Sequence, residues 1–221
     1  MTAESTDDTL SIADELLALK FGVRRSCRYH DRRRAYFDTL HKITNVLTIL
    51  LAGSVVFSIA HEGSKDPSWL IGIALLASLL SAVDLVVGYA QKANLHRELK
   101  IRFAQLEIDI LTGGEDKAAL REFTKARLTI EKDEPPVYRA LDILCQNELL
   151  IADGYEGEEY EELMGRLASF ERMTAYVFRW SDVAAVQQAR RDKAKEKAEK
   201  KAAKKAAKKL PPDAEQKTVT T

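Results

Sequence analysis

The chain has 221 residues, with 34 basic and 34 acidic side chains that cancel to a formal net charge of zero. Length allows one ordinary domain or two small ones, and two cysteines, Cys27 and Cys145, exclude a disulfide scaffold. Five prolines and ten glycines exclude a collagen-like chain, yet the balanced totals conceal strong segregation of both charge and hydropathy.

Residues 1–19 hold five acids and no base, and read as an acidic N-terminal segment. Residues 20–42 reverse this, with eight bases and two acids. Within that stretch Tyr29, Arg33, Tyr36, Phe37 and Leu40 recur at helical spacing, so a helix is expected to run into the segment that follows. The acidic segments 1–19 and 153–162 either fold onto this basic helix or, like it, are solvated faces.

From Ile43 to Ala60 there are 18 residues without a charge, and from Pro67 to Val83 there are 17. A helix of 18 residues covers about 27 Å, close to the apolar thickness of a bilayer. Neither run is amphipathic, which disfavours a buried hairpin of a soluble protein. Two spans are therefore predicted, at about 43–60 and 68–90, joined by a short turn with Gly63 and Pro67. The 42 mostly polar residues ahead of the first span argue against a cleaved signal peptide. Seven Lys/Arg lie in the 20 residues before Ile43, one in the loop (Lys65) and four in residues 91–110, which places both termini in the cytoplasm. Trp69 and Tyr89 fall where outer and inner interfacial anchors belong, and the cysteines then lie free in a reducing compartment.

Inside the spans, Ala74, Ser78 and Ala82 recur at every fourth position, with Ala77 and Ser81 beside them. Such small-residue faces allow close helix approach, either to the first span or to another subunit. Asp84 is the one acid in the second run. A carboxylate there faces protein, water or a partner. It lines a water-filled path with Asn45 and Thr48 as candidate gate residues, or it is a structural partner of Asn45, Thr48 or Lys42.

The second span is expected to continue as an unbroken helix through Leu111, because Leu95, Leu99, Phe103, Leu106 and Ile110 repeat at intervals of three and four. Residues 20–112 thus read as a helical hairpin with a cytoplasmic stalk, ended by Gly113-Gly114. Residues 115–188 read as a cytoplasmic helical layer. A helix spans about 117–130, and a second starts at Asp133-Glu134-Pro135-Pro136 and carries Val137, Leu141, Leu144, Cys145 and Leu149. Past Gly154 and Gly157 a long helix is expected over about 158–188, with Tyr160, Leu163, Met164, Leu167, Phe170, Met173, Val177 and Trp180 on one face.

Residues 189–221 form a Lys/Ala-rich tail, helical or disordered. Lys200, Lys201, Lys204, Lys205, Lys208 and Lys209 suit contact with anionic lipid, against the alternative of a mobile solubilising extension. With no aromatic side chain among them, nucleic acid is the disfavoured partner. No catalytic, metal-ligand or cofactor-binding motif is present, so the chain does not read as an enzyme. The four histidines, His30, His41, His61 and His96, are scattered without metal-ligand spacing; His41 could meet His96 across the stalk, and one such pair is weak evidence for a metal.

Three stretches together resemble a known family: RYHDRRRAYFDTLHK (28–42) ahead of the first span, YAQKANLHRELKIRFAQLEIDI (89–110) after the second, and IEKDEPPVYRALDILCQNE (130–148) beyond. With the short outer loop, this arrangement over roughly residues 10–185 is similar to the SLATT group, the SMODS- and SLOG-associating two-transmembrane effector domains. The resemblance implies a bacterial inner-membrane effector of conflict systems. Such an effector forms homo-oligomers and opens the membrane when a cytoplasmic sensor protein signals infection. It carries over no functional residue. The fold class expected is an all-α membrane protein: a two-transmembrane helical hairpin extended into a cytoplasmic stalk, with additional packed cytoplasmic helices.

Overall fold

A computed structural model describes residues 3–61 and 68–180, with side chains over 12–58 and 69–180. Among the described residues every regular element is a helix. α1 (Ala3–His61) is one uninterrupted helix of 59 residues, about 88 Å long at the usual rise. It has no proline, and the acidic N-terminal stretch from Ala3 is part of the same rod as the first span. α2 (Ser68–Val87) and α3 (Tyr89–Thr112) return antiparallel to it. α4 (Lys117–Glu131), α5 (Arg139–Ala152), α6 (Gly157–Leu163) and α7 (Ser169–Met173) complete the chain.

The second span and the stalk are not one unbroken helix, contrary to expectation. Gly88 separates α2 from α3 in a left-handed conformation, φ 64° and ψ 54°. An L side chain costs energy there, whereas glycine does not. The Gly88 N–H still donates to the Asp84 carbonyl (2.9 Å), and its own carbonyl accepts from Lys92 (3.0 Å), so the axis is redirected without ending the ladder.

Over the apolar stretch α1 and α2 share a narrow seam. The less exposed positions on α2 are Leu70, Ile73, Ala77, Leu80, Asp84 and Val87. Those on α1 are His41, Thr44, Thr48, Leu51, Ser54, Val55 and Ser58, which follow intervals of three and four apart from Ser54. The outer faces remain bare: Leu85 is 82% and Val86 85% exposed. Both helices are long and apolar enough to cross a membrane, yet only 6% and 11% of their most apolar windows are buried. A core helix of a soluble protein is mostly buried, and these two apolar windows are not.

Below the seam the stalk is well packed. Leu99, Phe103, Leu106 and Ile110 of α3 interlock with Leu19 and Val23 of α1 and Ile130 of α4. Leu95, expected in this row, is half exposed, and His96 takes the inward position. Asp116 caps α4 by accepting from the Ala119 N–H (2.7 Å). Gly113 is required where α3 ends, since a Cβ there would lie 2.5 Å from Phe123 Cζ and 2.8 Å from the Asp109 carbonyl.

A second core joins Tyr29 of α1 to Ala140, Leu141 and Cys145 of α5 and to Ala175. α5 starts at Arg139 rather than at the prolines. Tyr138 is extended, and its N–H donates to the Tyr29 hydroxyl (3.0 Å). The residue before a proline is also kept out of the helical region. The long helix expected over 158–188 is replaced by two short ones. Met164 is extended, and Asn147 grips Gly165 through both its amide N–H (2.8 Å) and its carbonyl (2.9 Å), which turns the chain. Residues 181–188, the Lys/Ala tail with Lys200, Lys201, Lys204, Lys205, Lys208 and Lys209, and the loop with Lys65 lie outside the described residues.

The basic face of α1 is answered mainly by α5. Arg25 pairs with Asp142 (3.1 Å), Arg32 with Glu148 (2.5 Å) and Arg24 with Asp153 (2.7 Å). Of the acidic run 153–162, Asp153 reaches the basic helix, while Glu161 pairs with Arg166 (2.6 Å).

Candidate functional site

On the seam α1 contributes the polar His41, Thr44 and Thr48 and α2 contributes Asp84, with the more exposed Asn45 beside them. At the inner end of the spans, His41 Nδ1 lies 3.2 and 3.1 Å from the two Asp84 carboxylate oxygens. With the Nδ1–H tautomer His41 donates to Asp84, and Nε2 is then free to accept from the Asn45 side-chain amide (3.1 Å). Asn45, His41 and Asp84 form a directed chain of donors ending on the carboxylate. Asn45 and Asp84 are thus brought together, but through a histidine assigned elsewhere by sequence reasoning. Thr48 sits on the same face, and its hydroxyl is buried without a hydrogen-bond partner.

Some three turns toward the N-terminus of α1, a second chain of the same kind crosses from α3 to α1. His30 is fully buried and His96 is 3% exposed. Their Nδ1 atoms lie 2.9 Å apart, and His30 Nε2 is 2.8 Å from Glu134 Oε1. Glu134 accepts from His30 Nε2–H, and one proton lies between the two Nδ1 atoms. Phe103 stacks on His30 (5.5 Å) and Phe37 on His96 (5.7 Å). Burial first, then the facing His30 and the nearby Arg33, push His96 down to about 3. The expected meeting of His41 with His96 is therefore corrected: His96 pairs with His30, and His41 with Asp84. The 2.9 Å separation of the imidazole nitrogens is a hydrogen-bond distance, too short for a bridging zinc with bonds of about 2 Å to each.

Arg33 lies one turn from His30 and is 3% exposed. Its guanidinium is 3.9 Å from the Tyr138 ring centroid and 4.5 Å from that of Phe37, and Nη1 donates to the Tyr176 carbonyl (2.7 Å). It ties α1 to the strap that follows α7.

The small-residue face divides. Ala77 is buried in the hairpin seam, whereas Ala74, Ser78, Ser81 and Ala82 are exposed. The Ser78 hydroxyl donates to the Ala74 carbonyl (2.9 Å), which satisfies it within its own helix. Both cysteines are free, and burial pushes each thiol up to about 12. Among the described residues, no group of three or more His, Cys, Asp or Glu side chains is arranged to hold a metal ion.

Comparison with family models, curated proteins and solved structures finds no match to this chain. Function therefore has to be argued from the geometry.

Proposed function

We propose that this chain is a bacterial inner-membrane effector of the SLATT type, with both termini cytoplasmic. On this reading it assembles as a homo-oligomer and permeabilises the membrane when a cytoplasmic sensor triggers it. The observation that carries the reading is the pairing of bare apolar outer faces with a polar seam. Lipid or neighbouring subunits are the environments that suit the exposed faces of α1 and α2, and a membrane-depth carboxylate held by histidine suits a gate. Two helices cannot enclose a path, so conduction requires several copies, and Ala74, Ser78 and Ala82 offer a close-packing face for them. The test is ion or dye flux through liposomes with the purified chain and its Asp84→Leu and Asp84→Asn variants. Flux that changes in the variants is expected, and a preparation that stays impermeable with its activating sensor present refutes conduction.

One observation favours a second reading, a non-conducting membrane-tethered scaffold whose cytoplasmic helices bind a partner. The Asp84 carboxylate finds its partner within its own hairpin, and a satisfied acid need not line a path. Flux indifferent to both Asp84 variants assigns the residue this structural role.

A further inference from the structure

A cavity of about 250 Å³ opens between α1, α3, the 135–138 turn and the strap after α7. Three cations line it, Arg33, Lys92 and Arg179, together with the rings of Tyr29, Phe37 and Tyr138, and no carboxylate does. Among the described residues, none of the three cations has a carboxylate within ion-pair distance. This is unusual in a chain whose other stalk bases are largely paired: Arg24, Arg25, Arg32, Lys100 and Arg102 all are. Arg33 is the most telling. It is a buried charge, its Nε has no hydrogen-bond acceptor, and aromatic faces alone surround the guanidinium on two sides. A buried cation without a counter-ion is costly, and two further cations at the same cavity add repulsion. An anion at the centre removes both penalties.

Height and surroundings narrow the anion. Lys92 is four residues past Gly88, about 6 Å along α3, and Phe37 is six residues before Ile43, about 9 Å along α1. The cavity thus sits just below the inner end of the two apolar helices, at the depth of lipid phosphates if those helices cross a bilayer. α7 and the strap that carries Arg179 together expose Phe170, Met173, Val177 and Phe178. Phe170 and Phe178 both contact the Trp180 ring, at 5.9 and 6.1 Å. Exposed aromatic and basic side chains in one short segment are the composition of a membrane-interface contact.

We infer that this cavity is a phosphate-binding site. Arg33 and Arg179 supply fork-shaped donors, Lys92 a point charge, and Phe37 and Tyr138 an apolar wall. The phosphate of an inner-leaflet phospholipid and that of a soluble phosphate compound share this chemistry. The inference is independent of conduction, since a chain that passes no ions still binds or fails to bind phosphate.

The test compares the full chain in non-ionic detergent with its Lys92→Gln/Arg179→Gln double variant. Both side chains are exposed, so the variant keeps its fold, which circular dichroism and elution volume verify. Binding of phosphatidylglycerol, phosphatidylcholine and inorganic phosphate is titrated by native mass spectrometry and by thermal shift. The expected result is phosphatidylglycerol binding at least tenfold weaker in the double variant and restored in Lys92→Arg/Arg179→Lys. If inorganic phosphate shows that loss and the lipid does not, the site stands with a soluble ligand. Equal binding of every phosphate species by the wild type and the double variant overturns the inference.

Discussion

Acid should unfold this protein in part through His96. In the folded chain its imidazole is pushed from 6.5 to about 3, by burial first and then by His30 and Arg33. Unfolding exposes the ring, which then takes a proton near its ordinary value. A folded pKa below the unfolded one means that the contribution is whole above about 6.5 and is lost as pH falls toward about 3. Integrated from pH 7 to pH 5, the loss is about 2 kcal/mol, with a limiting slope of about 1.4 kcal/mol per pH unit. The groups around the ring are His30 with Glu134 behind it, Arg33 and Lys92 from the two stalk helices, and Arg179 from the strap. The assay is denaturant unfolding in detergent, followed by circular dichroism from pH 7.5 to 5, on the wild type and His96→Gln. Glutamine keeps a hydrogen-bonding group opposite His30 but cannot titrate. Acid-labile carboxylates are common to both proteins and cancel in the difference. The wild-type curve should fall more steeply by about 2 kcal/mol over the two lower pH units, and parallel curves would refute the buried neutral pair.

Gly88→Ala places a Cβ at φ 64° and 2.9 Å from Gln91 Oε1, a movable group, so the backbone term dominates. A loss of about 1–2 kcal/mol is expected in the same unfolding assay, and an unchanged midpoint would deny the left-handed bend. A double-mutant cycle with His41→Ala and Asp84→Ala should give a coupling of about 1–2 kcal/mol, since one partner is charged and both are only part-exposed. Additive losses would show that the pair contributes no joint energy. With thiols pushed up to about 12 by burial, Cys27 and Cys145 should both resist iodoacetamide at pH 8 in the folded protein and react once denatured; rapid labelling of either in the native state contradicts its burial.

The two apolar runs, α4 and the α3 seam were legible because each rests on a local pattern: uninterrupted apolar length, a cap before a periodic stretch, or intervals of three and four. The bend at Gly88 was also present in the sequence but was outweighed by the periodicity on either side. The short helices after Gly157 were not legible, because what ends α6 is a distant residue, Asn147, gripping Gly165. The histidine pairing was recoverable in principle. In an antiparallel hairpin the numbers of facing residues have a nearly constant sum, and His41 with Asp84 gives about 125, as His30 with His96 gives about 126. A pairing of His41 with His96 is out of register by some eleven residues. Arg33 is a different failure. Its place on the aromatic face with Tyr29, Tyr36 and Phe37 was legible, but it was also counted among six arginines ahead of a span, and the cover that Tyr138 supplies from a distant turn was not legible.

The two histidine chains acquire a mechanical meaning from where the rods are continuous and where they bend. α1 runs from the acidic terminus through its apolar stretch to His61 without a break, so both histidine contacts sit on one continuous rod. The returning arm differs, because Gly88 lets α2 and α3 change angle. Asp84 lies one turn before that bend and His96 two turns after it, and each is tied back to α1 by a histidine. The bend is therefore pinned on both sides. A change confined to α3 has to break the His30–His96 contact or transmit through Gly88 to Asp84. Because the lower contact also involves Glu134, in the turn that leads to α5, the layer of α4 to α7 touches the pin directly. The contacts between that layer and the seam run in order through Glu134, His30, His96, the Gly88 bend, and then Asp84 and His41.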